Sequence, residues 1–213
     1  MIELKVVKYS QLHKKELNQL FKLRKKTFKD RLNWEVACIG DMEMDKYDNI
    51  NATYIIGVSR NEIFCGARLI HMSKPNMTRD QIFKSYFDKE IIINNDLIEV
   101  SRFFIDKDKI KSLLIEGSPL ASLMFISMIN HARNELAKSM CAIVSTPMYA
   151  ILHRAGWNAK IIQSGVSEKH ETIHYVTLPI DEENTSRLYE REVKLIQSSV
   201  RSNTKEPVLI YNI

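Results

Sequence analysis

LIEVSRFFI, residues 97–105, is the stretch whose reading decides the fold. It has strand character, and successive side chains of a strand point to opposite faces. Regular alternation places Glu99, Ser101 and Phe103 on one face and Val100, Arg102 and Phe104 on the other. The flanking segments predict helices over both faces, so a carboxylate and a guanidinium fall where a core is expected. Unpaired, each would cost several kcal/mol on burial; they must be paired or line a cavity. Two readings follow for Glu99: a buried ion pair with Arg68 or Arg24, or a general base.

Working outward, Ser118 and Pro119 form an N-cap and N1 pair, and the apolar run behind them predicts a helix buried nearly all round and lying across the sheet. CAIVS at 141–145 is a short buried strand. Strand, helix and strand over 97–145 therefore make a parallel crossover. Thr146–Pro147 opens another helix that Gly156 stops, strands follow near 157–164 and 172–178, and a polar helix runs from about 183 to 198.

Upstream, TYIIGVS (53–59) and EIFCGARLIHM (62–72) flank Arg60 and Asn61 and read as an antiparallel hairpin. Thr78 with Gln81 matches a capping box opening a short helix through Phe87. Residues 3–8 alternate like a strand. From Ser10, the residues Leu12, Leu17, Leu20, Phe21, Arg24 and Phe28 recur at helical spacing. Residues 32–51 lack a period, hold Asp41, Glu43, Asp45 and Asp48, and form a long loop of the kind that carries function. The order predicts an α/β fold, a three-layer αβα sandwich with a mixed central sheet. Such a sheet splays where its pairing changes, which offers a cleft. With 213 residues, no repeat, no low-complexity tract and no flexible linker, residues 1–213 read as a single domain.

A composition of 45% hydrophobic and 27% charged residues excludes a disordered chain, a fibrous repeat and a disulfide-dependent mini-protein. Thirty-one Lys and Arg against 26 Asp and Glu give +5, which suits an acidic partner and falls short of a nucleic-acid signature. Cys38, Cys65 and Cys141 form no CxxC pair and fit a reducing cytoplasm. The charged N-terminus is no signal peptide, and the apolar run Leu120–Ile129 is too short to cross a bilayer.

Arg24 falls on the apolar side of its helix with Phe21 and Phe28, and Arg68 interrupts an apolar strand. Two inward cations suit a ligand carboxylate, or else pair structurally with Asp45, Asp48 or Glu99, or snorkel to the surface. Three arginines opposite these three acids look like a ligand cage. The Asp45/Asp48 loop lacks the glycine and terminal glutamate of a calcium site, and no metal is expected. His170 and His174 share a face if they lie on one strand, but no third ligand is evident, so they read as surface residues. RKKTFKDR at 24–31 suits phosphate contact or, more simply, a solvated helix face. Methionines 124, 128, 140 and 148 read as core packing, although thioethers also line pockets for flexible alkyl chains.

Taken in order, Arg24 and Phe28, Trp34, Asp45 and Asp48, Arg68, PNM at 75–77 and Glu99-Val100-Ser101-Arg102-Phe103, continuing to Asp106, resemble the acyl-homoserine-lactone synthases, the LuxI-type autoinducer synthases of quorum sensing. The resemblance covers roughly residues 1–180. It implies a fold similar to the GCN5-related N-acetyltransferases and acyl transfer from an acyl-acyl carrier protein to S-adenosylmethionine, followed by lactonisation and release of methylthioadenosine. S-adenosylmethionine is then a substrate, and no cofactor is expected. By resemblance, Arg24, Phe28, Trp34, Asp45, Asp48, Arg68, Arg102 and Phe103 shape or support the S-adenosylmethionine side. Glu99, with Ser101 and Arg102, forms the catalytic group. The acyl chain is expected among Met124, Met128, Ala142, Val144, Met148 and Leu178, with Lys138, Arg154 and Lys160 touching the carrier protein. Family members preferring 3-oxo chains often carry threonine where this chain has Ala142, which implies an unsubstituted chain of medium length here.

Two other classes compete. A coenzyme A-dependent N-acetyltransferase would use the same scaffold, but its R/Q-x-x-G-x-G/A pyrophosphate cradle is missing, since Gly117 is the only glycine between Phe104 and Pro119. A non-catalytic basic module would instead show steeply salt-dependent binding. Neither nucleic acid nor membrane is an expected partner.

Overall fold

In the computed structural model, which describes residues 2–115, 119–190 and 209–211, the chain opens with β1 (Ile2–Lys8) and helix α1 (Lys14–Arg24). Glu16 caps α1 by accepting the His13 N–H at 3.0 Å. The helical reading through Phe28 holds, but beyond Arg24 the turns widen into a π-helical segment, Lys25–Arg31, that carries Thr27 and Phe28 inward. The long loop that follows contains one two-stranded ribbon, β2 (Cys38–Ile39) with β3 (Met42–Glu43).

Next comes the hairpin of β4 (Thr53–Ser59) and β5 (Glu62–His71). Its turn residues Arg60 and Asn61 both sit at positive φ, 51° and 62°, the pair that matches a two-residue turn to strand twist. The helix expected over 78–87 does not form; only a 3₁₀ turn at Lys84–Tyr86 is present. Gln81 has φ 54°, and the Thr78 N–H, needed at a helix start, is taken by the Glu99 carboxylate at 2.6 Å.

Strand β6 (Leu97–Ile105) leads into α2 (Lys107–Ser112), which the sequence reading did not anticipate and which Asp106 caps by accepting the Lys109 N–H. Ser118 lies outside the described residues; Pro119 occupies the N-cap position of α3 (Leu120–Asn134). After β7 (Ser139–Ser145) comes α4 (Thr146–Ala155), capped by the Ser145 hydroxyl and stopped by Gly156 at φ 98°. Strands β8 (Lys160–Val166) and β9 (Thr172–Leu178) follow. The first begins three residues later than expected, leaving Trp157 fully buried in the core. A helix covers 182–190, and the remainder of the expected helix, to 198, lies outside the described residues. A short strand β10 (Leu209–Tyr211) pairs parallel with β1.

The eight-stranded sheet has the order β10-β1-β4-β5-β6-β7-β9-β8. α3 buries one face, packing Phe125 and Met128 with Ile55, Leu69 and Val100. α1 and the π-helical segment bury the other over Tyr54, Ile56 and Phe104. As expected, the interior of the sheet turns parallel at β6 and β7, but they pair only over Leu97–Glu99 against Ser139–Cys141 and then part.

β6 departs from regular alternation. Ser101 stands opposite Arg68 and Phe104 opposite Gly66, so Arg102 and Phe103 together face Ala67 in a β-bulge, with Arg102 at φ 56°. The bulge reverses the expected faces of these two residues and of Phe104 after them, which packs on the α1 side. Arg102 joins Glu99 and Ser101 on the α1 side, while Phe103 turns under α3 against Phe125, ring centroids 5.2 Å apart.

Candidate active site

Beyond Glu99 and Cys141 a cavity of about 800 Å³ occupies the gap between the diverging strands. Phe28, Trp34, Met77 and Phe83 line it on one side, and β6 from Glu99 to Ile105 runs along it. Its other arm is apolar, lined by Phe125, Met128, Ala142, Val144, Met148, Trp157 and Leu178.

Glu99 stands at the seam. Its side chain is 2% exposed, and Oε2 accepts the Thr78 N–H. Oε1 has no hydrogen-bond partner among the described residues, although Glu99 borders the cavity. Neither Arg24 nor Arg68 pairs with it, so the ion-pair reading of Glu99 fails. A buried carboxylate oxygen left bare costs free energy, and such exceptions concentrate where a protein needs a reactive group.

The arginines pair elsewhere, and the third acid is Glu43 rather than Glu99. Arg24 donates from Nε to Glu43 at 2.5 Å and from Nη1 to Asp48 at 2.6 Å. Arg68 donates from Nη1 to Asp45 at 2.6 Å and to Asp48 at 3.0 Å. Arg102 donates from Nε to Glu43 and from Nη2 to Asp45, both at 3.0 Å. Each cation holds two acids and each acid two cations, so the six charges close a neutral ring. Tyr54 adds its hydroxyl to Asp48 at 2.6 Å, and Ser101 Oγ accepts from Arg68 Nε at 3.2 Å.

Burial alone would lower the pKa of Arg24, but Asp48 and Glu43 overcome it and hold the guanidinium charged. Burial would raise Asp48, yet Arg24 and Arg68 pull it well below the usual carboxylate range. For Arg102 burial prevails and lowers the pKa, with Glu43 and Asp45 opposing it and the other two guanidiniums adding to it.

Of the ring, only Arg102 lines the cavity; Arg24, Asp45, Asp48 and Arg68 stand behind its wall. They therefore do not form an open cage around a ligand, because their charges are already matched. Phe28 and Trp34 stack 5.3 Å apart on the cavity side, and Arg102 lies over the Phe28 ring. Glu43 was detectable in principle: it lies two residues before Asp45, a spacing that shares a face in extended chain.

Met128, Ala142, Val144, Met148 and Leu178 all line the apolar arm, whereas Met124 is fully buried in the core and does not reach it. Arg154 is on the cavity rim. Lys138 pairs with Asp96 at the start of β7, away from the opening, and Lys160 is exposed at the start of edge strand β8. His170 is in a turn, not on a strand, and His174 is buried and hydrogen-bonded to Thr146 and Ser164. No helix among the described residues is long and apolar enough to cross a membrane.

A mixed sheet that opens beside a carboxylate onto a pocket with an apolar arm is the frame of an N-acyltransferase. An acyl-CoA N-acyltransferase from Pseudomonas aeruginosa shares the fold, with TM-score 0.56 at 13% identity, covering 84% of this chain and 98% of that one. The acyl-homoserine-lactone synthase LasI is nearer, with TM-score 0.78 at 20% identity, covering 89% and 95%. BjaI, a CoA-dependent acyl-homoserine lactone synthase solved with SAM and isopentyl-CoA, gives TM-score 0.75 at 20% identity, covering 91% and 89%. The autoinducer synthase family model matches residues 8–188. Acyl-homoserine-lactone synthases of Serratia liquefaciens and Dickeya dadantii are 44% and 41% identical; the first match covers 90% of this chain and 96% of the relative, the second 99% of each. The chain belongs to the autoinducer synthase family and is an acyltransferase.

Proposed function

We propose that the chain makes an acyl-homoserine lactone from S-adenosylmethionine and an acyl-acyl carrier protein, with Glu99 as general base. The observation that carries this is the bare Glu99 oxygen at the junction of an aromatic pocket and an apolar arm. S-adenosylmethionine enters as a substrate and no cofactor takes part. Its sulfonium suits the Phe28 and Trp34 faces, which attract a cation. Arg102 borders the same space, and Arg24, Asp45, Asp48 and Arg68 hold that wall rigid behind it. The acyl chain lies along Met128, Ala142, Val144, Met148 and Leu178.

An ammonium cannot attack a thioester. Glu99, directly or through one water, takes its proton, a step typically worth about 10² to 10⁴ in rate. The freed amine attacks the thioester carbon, the carrier thiolate leaves, and an amide forms. Backbone N–H groups on the β7-facing edge of β6, where pairing has ended, suit the oxyanion. The methionyl carboxylate then displaces methylthioadenosine from its own γ-carbon, closing the lactone. Holding the bent conformer supplies the advantage in that step.

The carrier protein is preferred over coenzyme A as donor because the chain carries +5 and lacks the glycine-rich cradle for a pyrophosphate. Arg154 on the rim belongs to its footprint, and Lys138 and Lys160, which do not line the cavity, are assigned to the outer part of the same footprint. The test supplies S-adenosylmethionine with matched acyl-carrier proteins and acyl-CoAs and identifies lactones by mass. Faster turnover with the CoA thioesters would reverse the donor assignment. Glu99→Gln is expected to fold and bind S-adenosylmethionine yet lose synthesis by about tenfold or more; retained activity would remove Glu99 as the base.

A further inference from the structure

The turn before Glu99's hydrogen-bond partner is built more tightly than an exposed connection between two strands requires. Asn76 is fully buried. Its Oδ1 accepts the Arg79 N–H at 2.8 Å, its Nδ2 donates to the Lys74 carbonyl at 2.8 Å, and its own carbonyl accepts the Asp80 N–H at 3.0 Å. Arg79 anchors the same turn by donating to the Met72 carbonyl at 3.0 Å and to Asn95 at 2.7 Å. Asp80 is tied across to the 32–51 loop, accepting from the Tyr47 hydroxyl at 2.9 Å.

Within this frame the two residues after Asn76 both serve the cavity. Met77 offers its sulfur to Arg102 Nη1 at 3.4 Å, and Thr78 presents its backbone N–H to Glu99 Oε2 at 2.6 Å. Among the described residues, this N–H makes the one hydrogen bond that orients the Glu99 carboxylate. It comes from main chain, so no side chain of its own can aim it; the conformation of the turn must do so. A strained turn with Gln81 in the left-handed region holds its shape only if surrounding bonds over-determine it, and the Asn76 carboxamide supplies bonds on both sides of Thr78.

We propose that Asn76 is a positioning residue for the acyl-transfer step: it locks the 74–80 turn so that the Thr78 N–H fixes one oxygen of Glu99 and leaves the other facing the substrate amine. This rests on Glu99 being the base. A misdirected carboxylate still permits both substrates to bind, so the effect falls on turnover. Asn76→Ala is expected to lower kcat by about tenfold or more, with KM for S-adenosylmethionine and for the acyl donor within about twofold of the parent. Asn76→Ser, whose hydroxyl can still accept the Arg79 N–H, recovers part of the loss.

The decisive readout is a double-mutant cycle. If Asn76 works through Glu99, adding Asn76→Ala to Glu99→Gln costs nothing further, whereas an independent structural effect would multiply the two losses. Replacing the Thr78 amide by an ester, through incorporation of the corresponding α-hydroxy acid, removes the N–H and leaves every side chain in place. It covers the case in which Asn76→Ala fails to fold, and is expected to give the same loss in kcat. An ester variant at full activity, or multiplicative losses in the cycle, overturns the inference while leaving Glu99 as base. An active Glu99→Gln enzyme overturns the base assignment itself.

Discussion

Removing Glu43 opens the charge ring at its least exposed acid. Glu43 is fully buried and joins Arg24 to Arg102. In Glu43→Gln three guanidiniums face two carboxylates, leaving one uncompensated positive charge in a ring where Arg24 and Arg68 are fully buried and only Arg102 borders the cavity. Breaking a buried pair by deleting one partner costs about 3–5 kcal/mol. For a chain of this size each kcal/mol lowers the melting temperature by roughly 2–4 °C, so the fall is ~6–20 °C. Circular dichroism or calorimetry at neutral pH measures it. A companion variant separates charge balance from packing. Arg24→Met with Glu43→Met leaves Arg68, Arg102, Asp45 and Asp48, two of each sign and still linked through Arg68–Asp45, Arg68–Asp48 and Arg102–Asp45. Being neutral, it is expected to melt above Glu43→Gln despite carrying two changes. A Glu43→Gln protein melting within about 2 °C of the parent, or a double variant melting below it, would refute the view that the ring is stabilised as a balanced unit.

The folded-state pKa of Asp48 is depressed, so its contribution is complete above the ordinary aspartate value of about 4 and drains away as pH falls below it. Urea titrations should show stability dropping steeply below about pH 4, with Asp48→Asn less stable at neutral pH but flatter in acid. Ala142→Thr places a hydroxyl on the cavity arm and is expected to raise the share of 3-oxo product, measured by mass analysis of lactones; an unchanged product ratio counts against the arm as the acyl site. A Cβ on Gly165 would run into the Tyr86 carbonyl and the Phe87 ring. Gly165→Ala should therefore lower the melting temperature by several degrees and loosen the rim at Tyr86, visible as accelerated amide exchange over 84–87.

Features governed by neighbours in sequence were legible. The hairpin, the 97–145 crossover, the capped α4 and the opening between β6 and β7 follow from periodicity and turn chemistry read locally. Features governed by distant partners were not. Arg102 adopts a left-handed backbone because Glu43 and Asp45, more than fifty residues earlier, receive its guanidinium, and no local pattern announces that bulge. The capping-box signal at Thr78 and Gln81 was genuine by type and overridden by Glu99, a stronger acceptor for the same N–H. Met124 and Met128 lie one helical turn apart on one face, and only the depth of the cavity floor decides which of them it exposes.

The interior parallel seam joins the sheet's two halves by only three residue pairs. On the proposed assignment, everything that handles the sulfonium and the proton lies before residue 106, and most of what meets the lipid lies after it. Donor taste can therefore drift without disturbing the electrostatic machinery, provided that α3 keeps the apolar face it packs against Ile55 and Leu69.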